Sequence, residues 1–415
     1  MKTTVAIEKC DSYDPAEVYQ AVKRCVDLLG GMSRFVQPGK RVLLKPNLLV
    51  GVPPEKVTVT HPEIVRAVAS LAQEAGGEVS VGDSPCLKPL KENLTKSGYD
   101  PFMRELGLKA VPFEEVRRIN TGLDGLLGHI EVATAPLEAD VVINLPKLKT
   151  HATMYLTVAV KNLFGCVAGK RKVEWHFKTD KNYEHFGMAL VQIAKAVSPA
   201  LTIVDAIMAM EGNGPYAGTP RRLGVIVAGT DCVAIDAVVC WMLSLRPDIL
   251  YTYKAAKQIG WGVTDLKEIE LKGVLLEEVR VSDFKLARVI VRLLAAPLFT
   301  RRLLRNAFTA RPRVDRKACK ACGVCAEICT ANAISIKGKK VSIDYDKCIR
   351  CFCCQEICPH GAMKVREGYL VWLLHQGSVL RESLSMLPLA GTGKRARTDT
   401  RLTEEGRAKK KASKK

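Results

Sequence analysis

Short apolar runs alternate with segments of helical periodicity through the first two thirds of the chain. The β-rich runs are TVAIEK, RVLLKPN, EVSVGD, DVVINLPK, LTIVDA and LGVIVAG. Between them, Pro15 to Leu29, Pro62 to Ala75, His185 to Val197 and Cys232 to Leu243 carry apolar residues at helical spacing. Alternation of this kind predicts an α/β fold, a mostly parallel sheet with flanking helices, over residues 1–280. Thr60-His61-Pro62-Glu63 reads as a capping box with proline at the first helical position, with a ligand role for His61 as the alternative.

In an open α/β sheet, ligands bind beyond the carboxyl ends of the strands. Strand 41–44 runs into Lys45-Pro46-Asn47, strand 78–81 into Gly82-Asp83-Ser84-Pro85, and strand 140–145 into Pro146 to His151. Strand 201–204 runs into Asp205, and strand 223–229 into Thr230-Asp231. If these strands are parallel, all five loops share one edge. Lys45, Asn47, Lys147, Lys149 and His151 are then candidate catalytic residues lining a crevice suited to a carboxylate or phosphate, with His151 or a lysine as proton donor. Asp83-Ser84-Pro85 and Thr230-Asp231 also read as helix N-caps, and Glu211 to Pro215 as a turn. GCVAGK is one residue short of a phosphate-binding loop, and no glycine-rich dinucleotide fingerprint is found, so neither NAD nor flavin is predicted.

Cysteine usage changes the picture after residue 313. Nine of the fifteen cysteines fall between Cys319 and Cys358, whereas Cys10, Cys25, Cys86, Cys166, Cys232 and Cys240 are scattered and read as core residues. CKACGVCAEICTANAISI and CIRCFCCQEICPHGAMKV form a repeat, each copy C-x2-C-x2-C-x3-C. Three thiolates at this spacing can hold three irons of one cubane while the fourth points to a neighbouring cluster; structural zinc sites normally use separated knuckles instead. The pattern resembles the bacterial two-cluster ferredoxin domain, over residues 313–367. That resemblance implies two 4Fe-4S clusters, one on Cys319, Cys322, Cys325 and Cys358 and one on Cys348, Cys351, Cys354 and Cys329. Thr330 stands where the family usually has proline, and Cys353 is an extra cysteine, read as a non-ligand, that could replace Cys354 in a shifted register.

The formal net charge of +20 is concentrated in two places: residues 284–316 carry +8 and the tail from Thr392 to Lys415 carries +7. Residues 281–312 read as a basic amphipathic helical linker, and 284–309 could dock on a membrane surface or an acidic partner. Residues 368–415 read as an extension ending in a disordered basic tail. No recognition helix or zinc finger accompanies the charge, so specific nucleic-acid readout is not predicted. No apolar run reaches the ~20 residues of a membrane span and the first ten residues do not read as a signal peptide, so the expected location is cytoplasmic.

VLLKPNLL, VTHPEIVRAV, VGDSP, DVVINLPKLKTH, TVAVKNLFG, DAIMAMEGNGP and LGVIVAGTDCVAIDAV together resemble domain-of-unknown-function family 362. The resemblance places Lys45, Asn47, Lys147, Lys149, His151, Lys161, Asn162, Glu211 and Asn213 in family motifs and implies frequent fusion to a two-cluster ferredoxin domain, without assigning roles. The leading expectation is an iron–sulfur oxidoreductase passing electrons to a small anionic substrate. The alternatives are an electron-transfer adaptor that docks on a redox partner protein or membrane complex, and a non-redox enzyme or maturation factor with structural clusters.

Overall fold

The computed structural model describes residues 2–169, 171–179, 182–287, 310–366 and 368. Met1–Gly368 form one compact unit, so the cysteine repeats pack directly onto the α/β body. Twelve strands come first: β1 (Thr3–Lys9), β2 (Arg41–Pro46), β3 (Glu78–Asp83), β4 (Lys109–Pro112), β5 (Val116–Asn120), β6 (His129–Ala133), β7 (Val141–Leu145), β8 (Lys147–His151), β9 (Tyr155–Thr157), β10 (Leu201–Glu211), β11 (Thr219–Gly229) and β12 (Ile269–Gly273). The main sheet runs β12-β1-β11-β10-β7-β2-β3-β4, with β8 and β9 continuing beside β10 and β5–β6 forming a separate hairpin.

Within that order β11 is antiparallel to both its neighbours, β1 and β10, while the strands from β10 to β4 run parallel. The expectation that five strand-end loops share one edge therefore fails for Thr230-Asp231, which lies at the opposite end. Asp231 caps a helix there, accepting the N–H groups of Val233 and Ala234. Two further boundaries differ. Lys147 to His151, expected as a loop, is strand β8, because it keeps pairing with β10 after Pro146. Asp205, expected just past a strand, lies in the middle of the eleven-residue β10.

Alternation along the strands builds two cores. On β1, Val5 and Ile7 enter one core and Ala6 enters the other, on the opposite face. One face is covered by α1 (Pro15–Leu28) and α2 (Pro62–Glu74), the helices that follow β1 and β2. Helix α2 starts where expected, with Pro62 at its first position, but the cap is His61, whose Nδ1 accepts the Glu63 N–H at 3.2 Å. Thr60 instead accepts the Asn47 N–H and donates to the Leu145 carbonyl, tying the ends of β2 and β7 together. The other face is covered mainly by the helices Tyr183–Val197 and Cys232–Met242.

The cysteine repeats fold as a small pseudo-twofold α+β segment. Strand β13 (Arg311–Val314) pairs with β16 (Met363–Arg366), and β14 (Ile334–Lys337) with β15 (Lys340–Ile343). Asp315 N–H bonds the Ala362 carbonyl and Asp344 N–H bonds the Ala333 carbonyl, so each repeat closes against the other. The helical linker expected at 281–312 shows no helix over 281–287, and residues 288–309 lie outside the described residues, as does the extension from 369 to 415.

Candidate functional site

Strand order reverses between β2 and β7: from β2 the chain builds outward through β3 and β4, and from β7 through β10. This is the crevice where doubly wound sheets bind ligands. A cavity of about 90 Å³ lies beyond it, walled by Lys45, Asn47, Lys149, His151, Lys161 and Lys172 on the sheet side and by Ile328, Cys353, Glu356 and Ile357 from the cysteine repeats.

Lys45, at the end of β2, is almost fully buried and pairs with Asp83, at the end of β3, at 2.9 Å. Asp83 also accepts the N–H groups of Leu48 and Ser84, both at 2.8 Å, so both carboxylate oxygens are occupied. Gly165 lies against this pair, and a Cβ there would collide with both Lys45 Nζ and Asp83 Oδ1. Gly165→Ala is expected to cost about 1–3 kcal/mol, the usual penalty of overpacking a filled site. Thermal unfolding of the variant checks it, and an unchanged midpoint would show that the ion pair is free to move.

Lys149 donates to Asn47 Oδ1 at 2.8 Å and to the Thr58 carbonyl at 2.7 Å. Asn47 Nδ2 donates to Asn162 Oδ1, and Asn162 Nδ2 to Asn144 Oδ1, each at 2.8 Å. A lysine can only donate, so its contact fixes the orientation of Asn47, and each amide then fixes the next. Asn144 sits opposite Lys45 in the β2–β7 ladder, which anchors the relay in the sheet. Burial, with Lys161 and Lys147 nearby, holds Lys149 well below the usual lysine range.

Lys161 differs from its neighbours. Its ammonium stands 5.7 Å above the Phe164 ring, and no hydrogen bond or ion pair satisfies it among the described residues. Burial lowers its pKa. Lys172 donates to the Ser84 carbonyl, so it is held by a neutral acceptor. The cavity thus gathers four lysines against two carboxylates, Asp83 and Glu356, and Asp83 is already taken by Lys45.

Lys147 does not line the cavity. It bonds Asp205 Oδ2 at 2.9 Å and Tyr13 Oη at 2.8 Å, while Tyr13 donates to Asp205 Oδ1 and stacks on His61 at 3.6 Å. An irregularity in the ladder separates it from the others: Lys147 pairs with Asp205 and Lys149 with Met210, so β10 takes five residues where β8 takes two. His151 Nδ1 accepts the N–H groups of Thr153 and Met154 at 3.2 and 3.3 Å. A neutral imidazole must therefore carry its proton on Nε2, which lies 3.2 Å from Glu356 Oε1. That contact is poorly aligned for a hydrogen bond, and burial pushes Glu356 up to about 7.

Sequence reasoning missed Glu356, Lys172, Cys86 and Asn144, and placed Lys161 and Asn162 only by resemblance. Cys86, read as a core residue, lines the cavity, while the other five scattered cysteines are buried. Glu211 accepts the Lys285 N–H and Asn213 meets Gln355 at 3.3 Å, so both stand outside the cavity.

The cysteine repeats show the same local geometry twice. Ala321 and Arg350 both have left-handed backbone (φ 51° and 57°), as do Gly323 and Phe352 (φ 90° and 65°). Left-handed turns between the cysteines let backbone N–H groups face an anionic centre, and Phe352 adopts the turn without glycine's freedom. Ala333 N–H donates to Cys329 Sγ at 3.3 Å and Ala362 N–H to Cys358 Sγ at 3.2 Å. Cys325 lies in the field of Cys319, Cys322 and Cys358, whereas Cys329, Cys348, Cys351, Cys353 and Cys354 line a second small cavity. Among the described residues no three His, Cys, Asp or Glu side chains close on a single ion. A small cavity bordered by sulfurs fits a cubane bonded through one thiolate per iron.

A mostly parallel α/β body whose lysine-lined cavity is closed by paired cysteine repeats defines an iron–sulfur α/β protein. Residues 42–241 match the domain of unknown function DUF362, and residues 318–362 match a 4Fe-4S dicluster domain. The chain belongs to the DUF362 family. It is 41% identical over 291 residues to Thylakoid-associated protein sll1697 of Synechocystis sp., covering 70% of this chain and 90% of that protein. Among solved structures, the lactate racemase apoprotein from Thermoanaerobacterium thermosaccharolyticum aligns at a TM-score of 0.35 and 14% identity, over 55% of this chain and 54% of that one, too weak a likeness to carry function across. No described helix is long and apolar enough to cross a membrane.

Proposed function

We propose that the protein is an iron–sulfur oxidoreductase that binds two 4Fe-4S clusters and reduces or oxidises a small anionic substrate in the cavity between its α/β body and its cysteine repeats. One observation carries the reading: Ile328 and Cys353 line both the lysine-lined cavity and the neighbouring cavity that Cys329, Cys348, Cys351 and Cys354 border. Cys319, Cys322, Cys325 and Cys358 would hold one cluster, and Cys329, Cys348, Cys351 and Cys354 the other. Such clusters supply or accept single electrons. Lys161 and Lys149 hold the anion, the amide relay keeps Lys149 in place, and His151 presents a proton on Nε2. Leu48, Phe164, Ile328 and Ile357 keep water from the remaining walls.

The test is reoxidation of anaerobically reduced protein by a panel of small carboxylates and oxoanions, followed by visible absorption without any partner protein. A substrate should restore the oxidised spectrum. Lys161→Met should raise the dissociation constant of that anion about tenfold or more, the worth of one hydrogen bond to a charged group. If no small anion reoxidises the protein while a carrier protein does, electrons leave to a partner and the enzyme reading fails.

A further inference from the structure

We propose that a basic groove on the cysteine-repeat segment, distinct from the lysine cavity, docks the acidic face of an electron-donating protein. The groove lies between the strand pair β13–β16 and strand β15 and encloses about 880 Å³. Arg313, Arg316, Lys340, Lys364 and Arg366 line it against a single carboxylate, Asp315. All five cations are exposed, and none has an ion-pair partner among the described residues. Asp315 is already engaged, accepting the N–H groups of Lys317 and Ala318 at 3.0 and 3.5 Å.

Five exposed cations around one depression form a strong local field, and fields of this kind accelerate encounter with an oppositely charged protein more than they tighten the complex. The depression itself argues for a protein rather than a lipid surface, since acidic side chains can enter between its walls and a bilayer face cannot. Tyr345 lies in the groove with Arg311 5.0 Å from its ring centroid, giving a flat aromatic contact beside the charges. The position suits electron entry. Asp315 O accepts the Cys319 N–H, and Asp315 N–H bonds the carbonyl of Ala362, whose own N–H bonds Cys358 Sγ. The groove wall is thus bonded to cysteines of the repeat, while the lysine cavity meets the segment at Cys353 and Glu356. Each encounter would oxidise the partner by one electron and reduce the iron–sulfur segment by one, with no bond made or broken.

The experiment uses the full-length holoprotein and an acidic flavodoxin as probe, with two readouts: binding of the oxidised flavodoxin by calorimetry, and reduction of the protein by the flavodoxin hydroquinone in stopped flow. Lys364→Glu with Arg366→Glu, and separately Lys340→Glu with Arg313→Glu, should weaken binding and slow reduction at low salt at least tenfold. Reduction by photoreduced deazaflavin should stay unchanged, which shows that the segment is intact. The wild-type rate should fall steeply as salt rises. Reversing Lys409, Lys410 and Lys411 in the tail serves as a charge control. The proposal is overturned if that reversal slows the reaction more than the groove pairs do, if the groove pairs leave both readouts unchanged, or if they abolish binding to anionic vesicles while flavodoxin binding persists. The outcome does not depend on the cavity, because neither readout involves a small-molecule substrate.

Discussion

Asp83→Ala is expected to lower the unfolding free energy by about 3–5 kcal/mol, the range found when one partner of a buried ion pair is removed. Lys45 and Asp83 are 1% and 4% exposed, so neither charge can be hydrated where it stands. Without Asp83, Lys45 keeps only the Pro46 carbonyl, at 2.8 Å, and the Leu48 and Ser84 N–H groups lose their acceptor. Desolvation of the orphaned ammonium, more than the lost attraction, sets the size of the effect. The double variant Lys45→Met with Asp83→Leu should recover much of the loss, because a buried pair replaced by apolar groups of similar volume is often neutral. Denaturant unfolding of the three proteins measures both effects. A single variant within about 1 kcal/mol of the parent would show that water reaches the pair.

The second large effect concerns iron. Cys354→Ser is expected to cost about half of the iron and sulfide of the reconstituted protein, since one of two cubanes would lose a ligand. Cys353→Ser should leave the content unchanged. Cys354 shares a cavity with Cys329, Cys348 and Cys351 and packs with Cys358. Cys353 instead stands on the partition, lining both the lysine cavity and the neighbouring sulfur cavity. Iron and sulfide assays with electron paramagnetic resonance of the reduced proteins would decide the register. The opposite pattern, iron lost with Cys353 and kept with Cys354, would establish the shifted one.

The sequence made the α/β character, the strand cores and the cysteine repeat readable, because each is written in local spacing. The direction of β11 was not, since the apolar run LGVIVAG suits either direction and only the neighbours it finds decide. Strand β8 was hidden for a related reason: Lys147, Lys149 and His151 look like loop polarity until their acceptors are known, and those acceptors, Asp205 and Asn47, are 58 and 102 residues away. Glu356 could not be assigned to the site at all, because it reaches His151 only once two distant segments pack together. The internal repeat was legible but underestimated. Its period of 29 residues carries β13 onto β15 and β14 onto β16, so the duplicated unit includes strands whose sequences no longer agree.

The wall formed by Cys353 to Ile357 has a consequence for the order in which the protein matures. These residues lie between Cys351 and Cys358, and among the described contacts they reach the α/β body through Gln355 to Asn213 and Gly214 and through the packing of Cys353 and Ile357 on Leu87 and Val173. In a chain newly released from synthesis the strand pairs β13–β16 and β14–β15 can form, but the thiol loops between them lack the iron that would tie one cysteine to the next. Iron delivery would then act as the last step of construction, fixing the wall of the lysine cavity as the cluster forms.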